Sequence, residues 1–171
     1  KEIFDSRIKS SELLNDYIKL FPQVDTIISA SALGYYGADT GDRLLYESDK
    51  AGTGFLAGVV QAWEKSVAAA EARTVHLRTG IVLSENGGAL PKIALPVRWG
   101  LGTGFASGKQ WMSWIHVEDL CRMFIFALEH KHLNGVYNAV APYPQTNEVM
   151  IRKIADVLRR PLLLPNVPAF V

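Results

Sequence analysis

Three short apolar runs, "VDTIISA" (24–30), "TVHLRTGIVL" (74–83) and "NGVYNAV" (134–140), constrain what this chain can fold into. They are rich in β-branched residues, so each reads as a buried strand of a parallel sheet. The third is opened by an Asn-Gly turn. Between and around them lie helical patterns. Residues 6–20 place Ile8, Leu13, Leu14 and Ile18 near one face. The alanine-rich stretch from Phe55 to Ala72 predicts a second helix, and 117–130 a third, with Glu118 and Asp119 in its first turn. Residues 146–160 predict a fourth, N-capped by Thr146. "KQWMSWIH" (109–116) reads as one more strand, and "PLLLPNVP" (161–168) as a short strand or an extended exit. Pro91 and Pro96 limit any helix over 89–99 to short pieces. Strands alternating with helices predict an α/β domain with a largely parallel sheet.

The length of 171 residues suits a single domain, and 49% apolar with 20% charged residues is globular composition. With 18 basic and 17 acidic residues there is no basic face, which argues against nucleic acid as a partner. The one cysteine, Cys121, has no internal partner; it reads as a small buried hydrophobe on a helix face. No apolar run reaches membrane-spanning length and no signal peptide is visible, so a cytoplasmic protein without a membrane partner is expected. The chain opens at a lysine in mid-helix pattern, as a fragment would.

In open parallel sheets, ligands bind at the carboxyl ends of the strands. Three segments fall there: "SASALGYYG" (29–37), "RTGIVL" (78–83) and "WIHVEDL" (114–120). A serine at a strand end can hydrogen-bond a ligand carbonyl, and a neighbouring tyrosine can act as general acid. Ser31, Tyr35 and Tyr36 are therefore the catalytic candidates. Their other reading is local: Ser29 and Ser31 satisfying backbone groups, the tyrosines covering the sheet edge. If the tyrosines lie on an extended segment, they point to opposite sides and only one faces a ligand. Arg78 grips a phosphate or carboxylate bidentately, or else pairs with a nearby acid. His116 is a site residue or a helix cap. Of Trp111 and Trp114, one is expected on the ligand side. Asp39, Asp42, Glu47 and Asp49 form an acidic loop without the clustering a metal needs, so no metal is expected and a solvated surface is.

Together "SASALGYYG", "LRTGIVLSENGGAL", "GLGTGFASGKQWMSWIHVEDL" and "GVYNAVAPYPQTNEVM" resemble the extended short-chain dehydrogenases/reductases. Within that group they are most similar to the epimerase family proteins (39U-like) that carry a C-terminal domain of unknown function. The resemblance covers almost the whole chain, which spans only the middle and later part of the family. It implies a Rossmann-like sheet truncated at its N-terminal strands, as one domain over 1–171, with segments of a smaller substrate lobe at about 84–115 and 138–171. It also implies NADP or NAD as cofactor, held mainly by an N-terminal glycine fingerprint that lies outside this chain, so residues 1–171 alone should bind NADP(H) weakly or not at all. The "GLGTG" loop matches the substrate-side loop instead. The implied cofactor contacts are Ser29, Ala30, Ser31, Arg78, Thr79 and Gly80. On the substrate side they are Tyr36, Lys109, Trp111 and His116.

The chain departs from the family at its Tyr-x-x-x-Lys pair. If Glu64 matches the glutamate that follows that pair, Leu56 stands at the tyrosine position and Val60 at the lysine position. Neither moves a proton. Ser31 falls at the family's catalytic serine, and Tyr35 or Tyr36 at its tyrosine before glycine. The implied function is an NAD(P)-dependent oxidoreductase or epimerase acting on a small, nucleotide-sugar-like molecule. The alternative is a nucleotide-binding regulatory or interaction protein without turnover. A homodimer is expected through helices 6–20 and 55–72, the second carrying small residues at Ala57, Gly58, Ala62 and Ala68–Ala70.

Overall fold

A computed structural model of the chain describes residues 2–68, 72–164 and 166. They fall into two compact units, Lys1–Thr79 with Cys121–Ala139, and Gly80–Leu120 with Val140–Val171. The first unit begins with α1 (Glu2–Ile18), β1 (Thr26–Ala32), α2 (Phe55–Val67) and β2 (Arg73–Thr79). Next come β3 (Ile81–Ser84), β4 (Gly87–Gly88), α3 (Ala89–Arg98), β5 (Trp111–Met112) and β6 (Trp114–His116). Then follow α4 (Val117–Glu129), β7 (Gly135–Ala139), β8 (Gln145–Thr146) and α5 (Asn147–Leu158).

The first unit carries a parallel sheet in the order β1-β2-β7. Parallel neighbours need a crossover, and α2 supplies it between β1 and β2. Ser31 pairs with Arg78, and Arg78 with Asn138, so these three side chains stand in one row on one face. Thr74 and His76 share that face; Val75 and Leu77, both buried, point to the other. This is the parallel α/β arrangement that the alternating pattern predicts, in the Rossmann-like form that the family resemblance implies. Arg73 fastens α4 to the start of β2: its Nη1 donates to the carbonyl of Ala127 (3.1 Å), a group that the helix C-terminus leaves open, and to that of Leu133 (2.8 Å) in the turn beyond it.

In the second unit β3 pairs parallel with β6 and antiparallel with β4, while β5 pairs with β8. Its core gathers Leu83, Ala94, Val97, Met150, Ile151, Ile154 and Ala155.

Several expectations are corrected. "TVHLRTGIVL" is two strands, not one: it breaks at Gly80, and its halves join different sheets. A Cβ on Gly80 would stand 2.6 Å from the Ser113 carbonyl oxygen, the atom to which Ile81 N–H donates at 2.8 Å. "KQWMSWIH" breaks likewise at Ser113. Residues 89–98 form one helix despite two prolines. Pro91 occupies the first turn, where no intrahelical N–H bond is missing, and burial of Ala94 and Val97 offsets the bond lost at Pro96. Cys121 is exposed, not buried. The second helix ends at Val67, and Ala69 and Ala70 lie outside the described residues. Of the two alternatives for 161–168, the strand does not form over 161–164, and 165, 167 and 168 lie outside the described residues.

Candidate functional site

β1 runs into a tight 3-10 turn, Leu33–Tyr36. Tyr35 and Tyr36 therefore stand about 120° apart around a turn rather than on opposite sides of an extended segment. Their rings meet edge to face, centroids 5.3 Å apart. The turn is locked from outside by Gly52, whose N–H donates to the Tyr35 carbonyl at 2.9 Å.

Both rings close on Arg78, which is 3% exposed. Its guanidinium carbon lies 3.3 Å from the Tyr35 ring centroid and 5.1 Å from that of Tyr36. Each of its three nitrogens donates within the site. Nε reaches Glu64 Oε1 and Nη2 reaches Glu64 Oε2, both at 2.8 Å. Nη1 reaches the Tyr36 hydroxyl at 3.0 Å. That hydroxyl donates in turn to Asn138 Oδ1 at 2.8 Å, and Ser31 Oγ donates to Glu64 Oε1 at 2.6 Å. Outside the row, the Asn138 backbone N–H donates to Glu47 Oε1 at 2.7 Å.

Helical spacing explains why Glu64 is at hand. Leu56, Val60 and Glu64 follow one another at four-residue intervals along one face of α2. A Cβ on Gly34 would lie 3.7 Å from Val60 Cγ2 and 3.9 Å from Leu56 Cβ, so this apolar part of the helix abuts the tyrosine turn. The carboxylate one turn further on meets Arg78.

Burial works to raise the Glu64 carboxyl. The hydrogen bonds from Arg78 and Ser31, with the Arg78 charge, outweigh it and hold the group below the ordinary carboxylate range. Burial likewise works against the Arg78 charge, and the bonds to Glu64 and Tyr36 reverse this, so Arg78 stays protonated. His76, one row further down the same face, is 4% exposed, and its Nδ1 has no hydrogen-bond partner. Burial pushes it below its ordinary value of 6.5, Arg78 adds to that, and Glu64 opposes it.

A stability profile follows. The fold disfavours the protonated form of His76, so below pH 6.5 the unfolded chain takes up a proton that the native chain resists. Stability should fall as pH drops from there. It should fall further below 4.5, where unfolded Glu64 protonates first. Urea midpoints measured from pH 8 to pH 4 test this. In His76→Phe the upper part of the decline should disappear; an unchanged profile in that variant counts against the account.

The structure thus brings Ser31, Tyr35, Tyr36 and Arg78 together. Of the two readings open for Arg78, its guanidinium takes the internal pair with Glu64. Ser29 Oγ donates to the Ala30 carbonyl at 3.0 Å, Ala30 is exposed, and Thr79 Oγ1 donates to the Leu77 carbonyl at 3.0 Å. Lys109, Trp111 and His116 lie in the second unit. Lys109 and Trp111 are exposed there. His116 Nδ1 accepts the Glu118 N–H at 3.3 Å, a cap on the start of α4. The "GLGTG" backbone is held within its own unit, Gly104 N–H donating to Asn166 Oδ1 at 3.2 Å. Sequence reasoning missed Asn138 and set Glu47 among solvated surface acids. The signal available for Glu64 was an arginine inside a buried strand, which requires a carboxylate.

Residues 23–139 match the NAD dependent epimerase/dehydratase family. The epimerase family protein Mb2239 of Mycobacterium bovis is 42% identical over 168 residues, which cover 95% of this chain and 55% of that protein. The crystal structure of human epimerase family protein SDR39U1 (isoform 2) with NADPH aligns with a TM-score of 0.89 at 32% identity, covering 98% of this chain and 58% of that one. The nucleoside-diphosphate sugar epimerase from Corynebacterium glutamicum aligns with a TM-score of 0.83 at 34% identity, covering 96% of this chain and 37% of that one. The chain spans about half the length of the curated relatives it matches. A parallel sheet with a crossover helix, a serine- and tyrosine-bearing strand end and a match over most of the chain lead to one conclusion: the chain belongs to the NAD dependent epimerase/dehydratase family.

Proposed function

We propose that this chain is part of an NAD(P)-dependent oxidoreductase or epimerase acting on a small, nucleotide-sugar-like substrate, with Tyr35 as its proton donor. The observation that carries this is the state of the two phenols. The Tyr36 hydroxyl is buried and both donates and accepts within the network. Tyr35 is half-buried, lines a hollow of about 660 Å³ with Glu64 and His76, and rests on a charged guanidinium. NADPH with the human relative and the sugar-nucleotide name of the Corynebacterium protein support the cofactor and substrate class.

Among the cofactor candidates, Ala30 is exposed and Ser29 partly so within β1, which leaves both open to a bound dinucleotide. Ser31 and Arg78 do not contact it in this reading, because their polar groups are engaged with Glu64 and Tyr36. When bound, NAD(P) supplies hydride transfer. The chain's own part is to hold the reacting carbonyl near β1 and to give or take its proton at Tyr35 Oη. Lys109, Trp111 and His116 are the candidates for substrate contact that the family resemblance supplies.

The test uses full-length protein with NADPH and a panel of carbonyl compounds. Tyr35→Phe should abolish turnover, on the order of a hundredfold or more. Tyr36→Phe should keep turnover but lose about 1–3 kcal/mol of stability, because Asn138 loses its donor and Arg78 its acceptor. Full turnover in Tyr35→Phe would remove the tyrosine from the mechanism.

One observation favours the second reading, a nucleotide-binding protein without turnover. Leu56 and Val60 give no proton or charge beside the turn, and Ser31 and Tyr36 are engaged internally. Tight cofactor binding with no hydride exchange across the panel would establish it.

We also propose a cytoplasmic homodimer. α1 exposes Leu13, Leu14 and Tyr17 at 59%, 43% and 55%, an apolar surface that a second copy would cover. Of the small residues on α2, Gly58 is exposed, but Ala57 is only 1% exposed and packs inward. Light scattering on the full-length protein should give twice the monomer mass, and a monomer at high micromolar concentration would rule the dimer out. Among the described residues no helix is long and apolar enough to cross a membrane.

A further inference from the structure

We infer that Arg78 is the positioning residue for the Tyr35 phenol, the fixed cation that α2, with Val60, does not supply. The inference rests on the assignment of Tyr35 as proton donor. A guanidinium is a planar ion with donors on its edge and two open faces. Here the edge is tied down, two nitrogens to Glu64 and one to Tyr36. The plane cannot turn without breaking those bonds, and the Tyr35 ring lies against it at 3.3 Å. With Arg78 3% exposed, the contact is shielded from solvent. For a proton donor the contact fixes the ring, and so the direction of the hydroxyl. Ser31 and Glu64 act one step further out, since Glu64 holds Arg78 and Ser31 holds Glu64. An ammonium at position 78 would keep the charge but lose the fork and the stacked face.

The experiment uses full-length protein with 13C-labelled tyrosine rings, read by aromatic relaxation and by turnover together. In Arg78→Lys the Tyr35 ring should loosen on the picosecond–nanosecond timescale. Its kcat should fall about tenfold or more while KM and cofactor affinity stay within about twofold, the pattern of an interaction made in the transition state. Tyr35→Phe, prepared with 13C-labelled phenylalanine rings, should keep the parent's ring rigidity at position 35 and lose turnover. A Tyr35 ring as rigid in Arg78→Lys as in the parent overturns the inference, as does a loosened ring with unchanged kcat. If the parent turns over no carbonyl while the ring still loosens in Arg78→Lys, the positioning contact stands and the enzymatic reading falls. If Arg78→Lys does not fold, the Arg78 Hε resonance decides. Ring current should shift it upfield in the parent and not in Tyr35→Leu, and identical shifts in the two overturn the inference.

Discussion

Gly52→Ala should cost on the order of 4 kcal/mol or more, a loss at the far end of what single substitutions do. The added carbon would stand 2.1 Å from the Tyr36 carbonyl oxygen and 2.6 Å from the Gly37 nitrogen. Those are backbone atoms inside a 3-10 turn, so no side chain can swing aside to make room. Either the loop lifts off, breaking the Gly52–Tyr35 hydrogen bond, or the turn distorts and carries both rings away from Arg78. Gly58→Ala is the control. It lies in the interior of α2 with nothing within 4 Å of its missing Cβ. It should stabilise by about 0.5–1 kcal/mol, the usual gain over glycine in a helix. Urea unfolding compares the two, and near-ultraviolet circular dichroism follows the tyrosines. A Gly52→Ala protein with the parent's midpoint and tyrosine signal would show that the loop does not press on the turn.

Glu64→Ala should destabilise by about 3–5 kcal/mol, because it strands a buried guanidinium without its counterion. Side-chain exposures of 3% for Arg78 and 11% for Glu64 separate this pair from the surface ion pairs of the chain, such as Lys19–Asp16 at 73% on both sides. An exposed pair of that kind contributes about 0–1 kcal/mol. The paired substitution distinguishes charge burial from simple loss of packing. Glu64→Leu combined with Arg78→Met removes both charges and should recover most of the stability lost in Glu64→Ala. It should not recover turnover, because the Tyr35 support is gone. If the double variant is as unstable as Glu64→Ala, the loss in the single variant is one of shape and not of an uncompensated charge.

The fold class was legible because the β-branched runs are short, closely apolar and separated by helix-length segments. What was not legible were the breaks. The period-two pattern of "TVHLRTGIVL" runs through Gly80 without interruption, and only the approach of Ser113, 33 residues later in the chain, ends the strand there. In α3 the prolines argue locally against a helix, and packing of Ala94 and Val97 overrides them. Within the site, residue type drew attention to Ser31, Tyr35, Tyr36 and Arg78, while Glu64 entered only as the family's glutamate after the Tyr-x-x-x-Lys pair and not as the partner of Arg78. Asn138 and Glu47 carried no local signal. Asn138 enters through the β2–β7 register, and Glu47 through a loop that folds back on the edge of β7. Such contacts depend on topology, which a linear reading of spacing does not contain. The tyrosine turn was not legible for a related reason: an extended segment and a 3-10 turn are equally compatible with "LGYYG" until Gly52 is placed against it.

The segment between Gly37 and Gly52 is a lasso whose knot is tied twice, at Gly52 on the tyrosine turn and at Glu47 on Asn138. Its outer bend, with the 76%-exposed Leu44, lies between those two fastenings and the start of the loop. Loop closure grows only slowly more costly with length, so the bend has latitude that the strand ends lack. The exposed Leu44 is the place to attach a fluorophore or an affinity tag, or to graft extra residues.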